Sequence, residues 1–339
     1  MNTKKSRLKQ FLEIRGMGAS LTAFVALIII YVVFGIINPS VFSLQNNMNL
    51  LRAMSIFLLV GIGQSFVMIT SNIDLSIGSV VGMSAMISAT MLVKGVHPVF
   101  VCIVTVLCAL VVGVVNGILV GKFQLPPFIA TLGTMFVARG VAYMINGNRN
   151  TDNIGKVLGP EVAEKFQQFF YYGTFLGIYT TFWIALILFI VFFFVLSKTR
   201  SGRHIYAIGS NVEAAKLSGV DVVATTTKAY LVSEFCAAVV GLILCAQAGM
   251  GNMEAGNMYE MYGVAAGVIG GVSPLGGSGL LLGTFAGASV WQTLQNGLNM
   301  VSAQVGIQRI VIGVIVVCAV LLDVVGRNGK GLRKKKGTK

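Results

Sequence analysis

The sequence predicts an all-α, polytopic transmembrane protein of about ten spans, with both termini in the cytoplasm. Apolar residues fill 55% of the 339 positions and charged residues only 11%, whereas a soluble domain carries about a quarter charged residues. The apolar residues come in runs of roughly twenty, the length of a helix that crosses a bilayer core. Basic residues gather between these runs with a bias that sets orientation.

The runs fall at about 18–37, 53–70, 76–93, 98–121, 126–146, 175–196, 228–248, 258–272, 279–298 and 305–325. No stretch outside them could build its own core, so 1–339 is expected to be a single transmembrane domain. Residues 1–17 form a cytoplasmic N-terminus, 18–325 the membrane part and 326–339 a basic cytoplasmic tail. The first run is too long for a signal-peptide core and lacks an Ala-x-Ala site, so it reads as a retained span. The eighth run is short, and only a few residues separate the second from the third and the eighth from the ninth. Interrupted helices of this kind occur where backbone lines a cavity or packs inside protein.

Ten spans with the N-terminus inside place eighteen Lys and Arg in the cytoplasm and six outside. The excess supports that orientation. A net charge of +14 thus marks membrane flanks, and no nucleic-acid partner is expected. Cys102, Cys108, Cys236, Cys245 and Cys318 lie in apolar runs without metal-type spacing and read as small core residues. The outer segment 147–174 ends in Tyr171 and Tyr172, which with Tyr179 and Trp183 suggest an interfacial belt.

Glycines recur four apart within spans, as at Gly113, Gly117 and Gly121, which lets helices approach closely in lipid. Two breaks interrupt the apolar pattern. In Ser71-Asn72-Ile73-Asp74-Leu75-Ser76, an ionised Asp74 deep in the membrane needs a partner. It either caps the third helix or touches a transport path. The second break, Gly270–Gly279, stops one helix and turns the chain. It is a tight turn or a cover over a pore mouth. Gln292, Gln295, Asn296 and Asn299 share one helical face by their spacing. They either bond helix to helix or line a polar path.

The cytoplasmic loop 197–228 carries Ser210 and Glu213 at capping-box spacing and Gly219 as a stop. This predicts a short helix of one to two turns that a partner could grip. No Gly-x4-Gly-Lys-Ser/Thr loop is present, and His97 and His204 fall on opposite sides, so neither ATP binding nor a catalytic centre is expected in this chain.

Asn72 through Ser79, Pro127-Phe128-Ile129-Ala130-Thr131-Leu132-Gly133-Thr134, Gly202 through Gly219, and Gly270 through Gly279 together resemble the permeases of bacterial ribose-type ABC importers. The resemblance runs from about residue 45 to the end. It implies a multi-pass permease of the bacterial inner membrane that imports a sugar or sugar-like solute by alternating access. It implies three partners: a second permease subunit (identical or homologous), an ABC ATPase that holds ATP and Mg, and an extracytoplasmic sugar-binding protein. No cofactor is expected in this chain. The matching loop, with Gly202, Arg203, Gly209, Ser210, Asn211, Glu213, Ala214, Ala215 and Gly219, becomes the expected ATPase-coupling element. Asn72, Asp74, Ser76, Thr131, Thr134 and the Gln292–Asn299 face are the path or helix-break candidates. Two departures stand out: Asn72 where such permeases commonly have Gly, and Tyr262 where they commonly have an acid. The competing class is an ion-coupled secondary transporter, for which Asp74, Arg139, Glu234 and Asp323 are the span-associated charges.

Overall fold

The structure is a computed structural model. It describes residues 17–308 and, beyond them, 310, 311, 313, 314, 317, 318 and 321. The basic N-terminus, Asp323 and the 326–339 tail lie outside the described residues, as does much of the expected tenth run.

The first five helices are α1 (Met17–Ile37), α2 (Leu44–Ile69), α3 (Ile77–Val93), α4 (Pro98–Gly121) and α5 (Pro127–Met144). Two short helices follow, α6 (Gly155–Leu158) and α7 (Pro160–Gln167). Then come α8 (Thr180–Lys198), α9 (Arg200–Ser210), α10 (Val212–Leu217), α11 (Val222–Ala248), α12 (Tyr259–Ile269) and α13 (Leu281–Met300). Helical residues recur between 305 and 321. A hairpin of β1 (Thr174–Phe175) and β2 (Ile178–Tyr179) pairs Thr174 with Tyr179.

Six described helices are long and apolar enough to cross a membrane: α1, α2, α4, α5, α8 and α11. Of these, α2 and α11 are 72% and 78% buried along their most apolar windows, against 22% for the other four. The pair therefore forms a spine, and the others present a broad apolar surface to lipid. Their close approach has a sequence cause. Gly113, Gly117 and Gly121 of α4 lie directly against Leu231, Thr227 and Val223 of α11; a side chain at Gly117 would collide with backbone, and one at the other two would crowd it. The small-residue spacing thus does the packing work expected of it.

Several boundaries move from expectation. Helix α2 begins at Leu44, so Arg52 is helical rather than part of an outer loop, and its guanidinium stacks 4.4 Å from the Tyr171 ring and 4.0 Å from that of Tyr179. Tyr171 is buried in this stack. Helix α11 begins at Val222 because Asp221 caps it, accepting from the Ala224 N–H at 2.9 Å. Most of the 197–228 loop is therefore helical. Cys236 and Cys245 are core residues, whereas Cys318 is exposed on the apolar surface.

The interruptions are real, and they reach deep. Gly63 of α2 packs against Ile77 and Ser233. Gly63 lies six residues, about 9 Å, above the Ile69 end of α2, so α3 starts well inside the membrane and residues 70–76 climb to meet it. From the other side, 249–258 descends along α3: Gly251 lies against Met86 and Ala89, and Gly256 against Gly78 and Val81. Helix α12, with 11 residues, completes only the remaining depth. The freed carbonyls are satisfied by Arg139 of α5. Its Nη1 donates to Met253 O at 2.8 Å and Ala255 O at 2.9 Å, and Nη2 to Gly78 O at 3.3 Å. Non-helical backbone at membrane depth requires such internal partners.

Candidate translocation site and coupling surface

Where α3 begins, its 70–76 lead-in and helices α4, α5 and α11 bring polar groups together. Asp74 Oδ1 accepts from the Ser76 N–H at 2.9 Å and lies 2.6 Å from Ser76 Oγ, while Oδ2 accepts from Ser233 Oγ at 2.6 Å. Ser76 Oγ also lies 2.8 Å from Glu234 Oε1 and accepts from Asn116 Nδ2 at 2.8 Å. Thr134 Oγ1 donates to Asn116 Oδ1 at 2.7 Å, and the Tyr230 hydroxyl to Ile73 O at 3.1 Å. Asp74, Ser76, Asn116, Ser233 and Glu234 are all fully buried. Ser76 has a single hydroxyl proton, and Asn116 already donates to its oxygen. Its two carboxyl contacts together therefore need a hydrogen on one carboxyl.

This differs from a simple cap. Asp74 binds the N–H of Ser76, the N-cap residue, which makes no side-chain cap bond to the first turn of α3. Asp74 instead ties the broken start of α3 to α11, and through Asn116 and Thr134 the knot extends to α4 and α5. Reading polar residues in apolar runs for partners could have found Asn116 and Ser233, but nothing in the sequence pairs them with Asp74.

The other path candidates separate. Thr131 Oγ1 donates to Pro127 O at 2.8 Å, within its own helix. Asn296 exchanges hydrogen bonds with Asn46 at 3.2 and 2.9 Å, and Asn299 accepts from Gln308 at 2.9 Å. These two serve helix-to-helix bonding. Gln295 is half-buried, and Gln292 is buried with Oε1 unpaired. Asn72 lines a cavity of about 270 Å³ with Met68, Ser71, Phe128, Val264 and Pro274.

The coupling segment is built differently from expectation. Asn211, not Ser210, caps α10: its Oδ1 accepts from the Ala214 N–H at 2.9 Å. Ser210 Oγ instead donates back to Tyr206 O at 2.8 Å, ending α9. The capping-box reading fails because the chain continues as helix through Ser210 and breaks at the extended Asn211. Gly202 packs on the Leu196 carbonyl, whereas Arg203 points outward with Nη1 3.4 Å from Lys198 O. In α10 only Ala215 is buried. Glu213 and Ala214 are exposed, Leu217 is 89% exposed, and Gly219 closes the turn at φ +80°.

Helix α9 locks onto both breaks. Gly209 has no room for a side chain against Ile69 O and Gly277 N. Gly277 N donates to Ile69 O at 2.9 Å, Ser71 Oγ to Leu275 O at 2.6 Å and Tyr206 OH to Gly279 O at 2.6 Å. The protruding α10 is thus rigidly continuous with the turn 270–279 and the foot of the Asp74 knot.

A spine of buried helices, two mid-membrane breaks and a rigid knob wired to both define a multi-span transport protein. Residues 46–320 match the family described as the permease component of a branched-chain amino acid transport system. The chain is 35% identical to the ribose import permease protein of Bacillus subtilis, over 91% of this chain and 94% of that one. It is 33% identical to the D-allose transport system permease protein of Escherichia coli over 88% and 90%, and 33% identical to the galactose/methyl galactoside import permease protein of Haemophilus influenzae over 87% and 92%. No solved structure matches. The chain belongs to this family of ABC-importer permeases: it is a subunit of the cytoplasmic membrane, not an enzyme, and the family works with ATPase and solute-binding partners.

Proposed function

We propose that the chain imports a sugar or sugar-like solute by alternating access, paired with a second permease subunit of the same or a homologous sequence. A separate ATPase holding ATP and Mg docks on α10, and an extracytoplasmic sugar-binding protein delivers the solute to the opposite end. Both termini lie in the cytoplasm, and 1–339 acts as one membrane domain. The observation that carries this reading is the interlock of Gly209, Ile69 and Gly277, which links an exposed knob to both interrupted helices. A push on α10 reaches the Asp74 knot and the Gly-rich turn without passing through a flexible segment. The relatives named for ribose, allose and galactose supply the solute class.

The test is uptake of ribose, allose and galactose into proteoliposomes holding the permease with its ATPase and binding protein. Uptake should require ATP and both partners. Uptake by the permease alone, driven by a proton or sodium gradient, would favour the secondary-transporter reading and overturn this one.

A further inference from the structure

Beside the N-terminal end of α12, aromatic rings from three helices gather half-way across the membrane. The Phe57 ring lies 5.8 Å from Tyr259 and 5.6 Å from Tyr262, and Tyr262 lies 5.2 Å from Trp291. Phe57 sits twelve residues, about 18 Å, from the Ile69 end of α2, in a hydrocarbon core of roughly 30 Å. Two turns down the same face of α2, Gln64 packs beside Gly263. One turn further, Met68 and Val264 line the cavity that also holds Asn72.

The polar groups here are unusual. Gln64 is fully buried with neither amide atom paired, and the Trp291 Nε1 is likewise buried without a partner. Tyr259 and Tyr262 are half-buried beside them. Buried polar groups without partners are rare and call for an explanation. None of these groups is charged. The charged neighbour on α12, Glu260, turns away to lie against Gly78 of α3, and Arg52 and Arg139 are held by tyrosine rings and carbonyls.

We propose that Phe57, Gln64, Tyr259, Tyr262 and Trp291 form a solute subsite for an uncharged polyhydroxylated ring, such as an aldose. Ring faces take the C–H surface of the solute, while two hydroxyls, an indole N–H and an amide take its hydroxyls. Concave sites combine apolar walls with a few placed polar groups in this way. A zwitterionic amino acid fits badly, because its ammonium and carboxylate would be buried without charged partners. The half-helix α12 and the irregular segment 249–258 meet at this level, and irregular backbone persists at depth where it lines a cavity. The subsite rests on the sugar-importer reading above.

Two measurements test it. The chain has two tryptophans, Trp183 and Trp291, so in the full-length Trp183→Phe permease Trp291 reports alone. Ribose, allose or galactose should change its fluorescence saturably, Gln64→Leu should weaken the response, and leucine should give none. In the assembled importer, Tyr262→Phe removes one hydroxyl with the ring kept, and Trp291→Phe removes the indole N–H together with part of a buried ring. Each should lower aldose uptake by about three- to tenfold, with subunit assembly unchanged. Aldose uptake at the unmodified rate in both variants overturns the subsite and leaves the importer reading intact. So does the absence of any saturable aldose response at Trp291, or a leucine response of equal size. Import of leucine and no aldose by the unmodified importer overturns the solute reading itself, and the subsite with it.

Discussion

The amide of Gly277 donates to the carbonyl of Ile69 at 2.9 Å, joining a turn between α12 and α13 to the end of α2, more than two hundred residues away in sequence. Gly209 seats against both groups. A Cβ there would push on backbone rather than on a side chain that could move. Gly209→Ala is expected to destabilise the purified permease by about 1–3 kcal/mol, as overpacking does, and to lower ATP-driven uptake even where ATPase still binds. Thermal unfolding and uptake measured together check it. Unchanged values in both would sever the link between α9 and the two breaks.

The proposed ATPase contact is the outer face of α10. Leu217 is 89% and Val212 40% exposed, so neither supports the permease fold. Leu217→Asp should leave folding unchanged and weaken ATPase co-purification by about tenfold, the loss of an interface anchor worth roughly 1–2 kcal/mol. Full co-purification would move the contact elsewhere.

Capping separates two neighbouring residues. Asn211→Ala removes the acceptor of the Ala214 N–H and should cost about 0.5–2 kcal/mol of local helix stability, seen as faster amide exchange across 212–217. Ser210→Ala, whose hydroxyl only bonds back to Tyr206, should leave that exchange nearly unaltered. The reverse result would restore the capping box.

The buried knot distinguishes its two acids. Asp74→Leu strands the donors of Ser76 and Ser233 and should cost about 2–6 kcal/mol, at about 1–3 kcal/mol for each unsatisfied group. Glu234→Gln offers an N–H where the shared hydrogen bond needs a donor, and should cost less than about 1.5 kcal/mol. Thermal melts of the two variants decide the order.

The proposed orientation, with α10 in the cytoplasm, can be tested directly. In a cysteine-free background, a cysteine replacing Leu217 should react with an impermeant reagent only from the cytoplasm, and one replacing Gly159 only from outside. Labelling of Leu217→Cys from outside would invert the assignment.

Hydropathy placed most helices within a few residues, because lipid demands long apolar runs wherever a chain crosses it. It missed the start of α2, where Gln45, Asn46, Asn47 and Asn49 look like loop; their side chains are held by neighbours such as Val41, Phe42 and Asn296. It missed the start of α11 for a similar reason: Thr226 and Thr227 read as polar flank but pack against Gly121 and Gly117 of α4. The break at Asp74 was visible as a polar interruption. Its partners were not, since Ser233 and Asn116 become neighbours of Asp74 only after three helices pack. Tyr262 stood out as a departure from a motif, and its aromatic neighbours lie far away in the chain.

The Arg139 bridge also orders the protein's synthesis. The carbonyls of Met253 and Ala255 are bound by a side chain from α5, and Gly251 and Gly256 rest on α3. Both supports leave the ribosome well before residues 249–258. That unwound segment therefore meets a finished cradle when it enters the bilayer, and never has to wait there with bare carbonyls. Asp74 has the opposite history. Its acceptor oxygens serve Ser233 of α11, which is made some 159 residues later, so the start of α3 must be inserted before its partner exists.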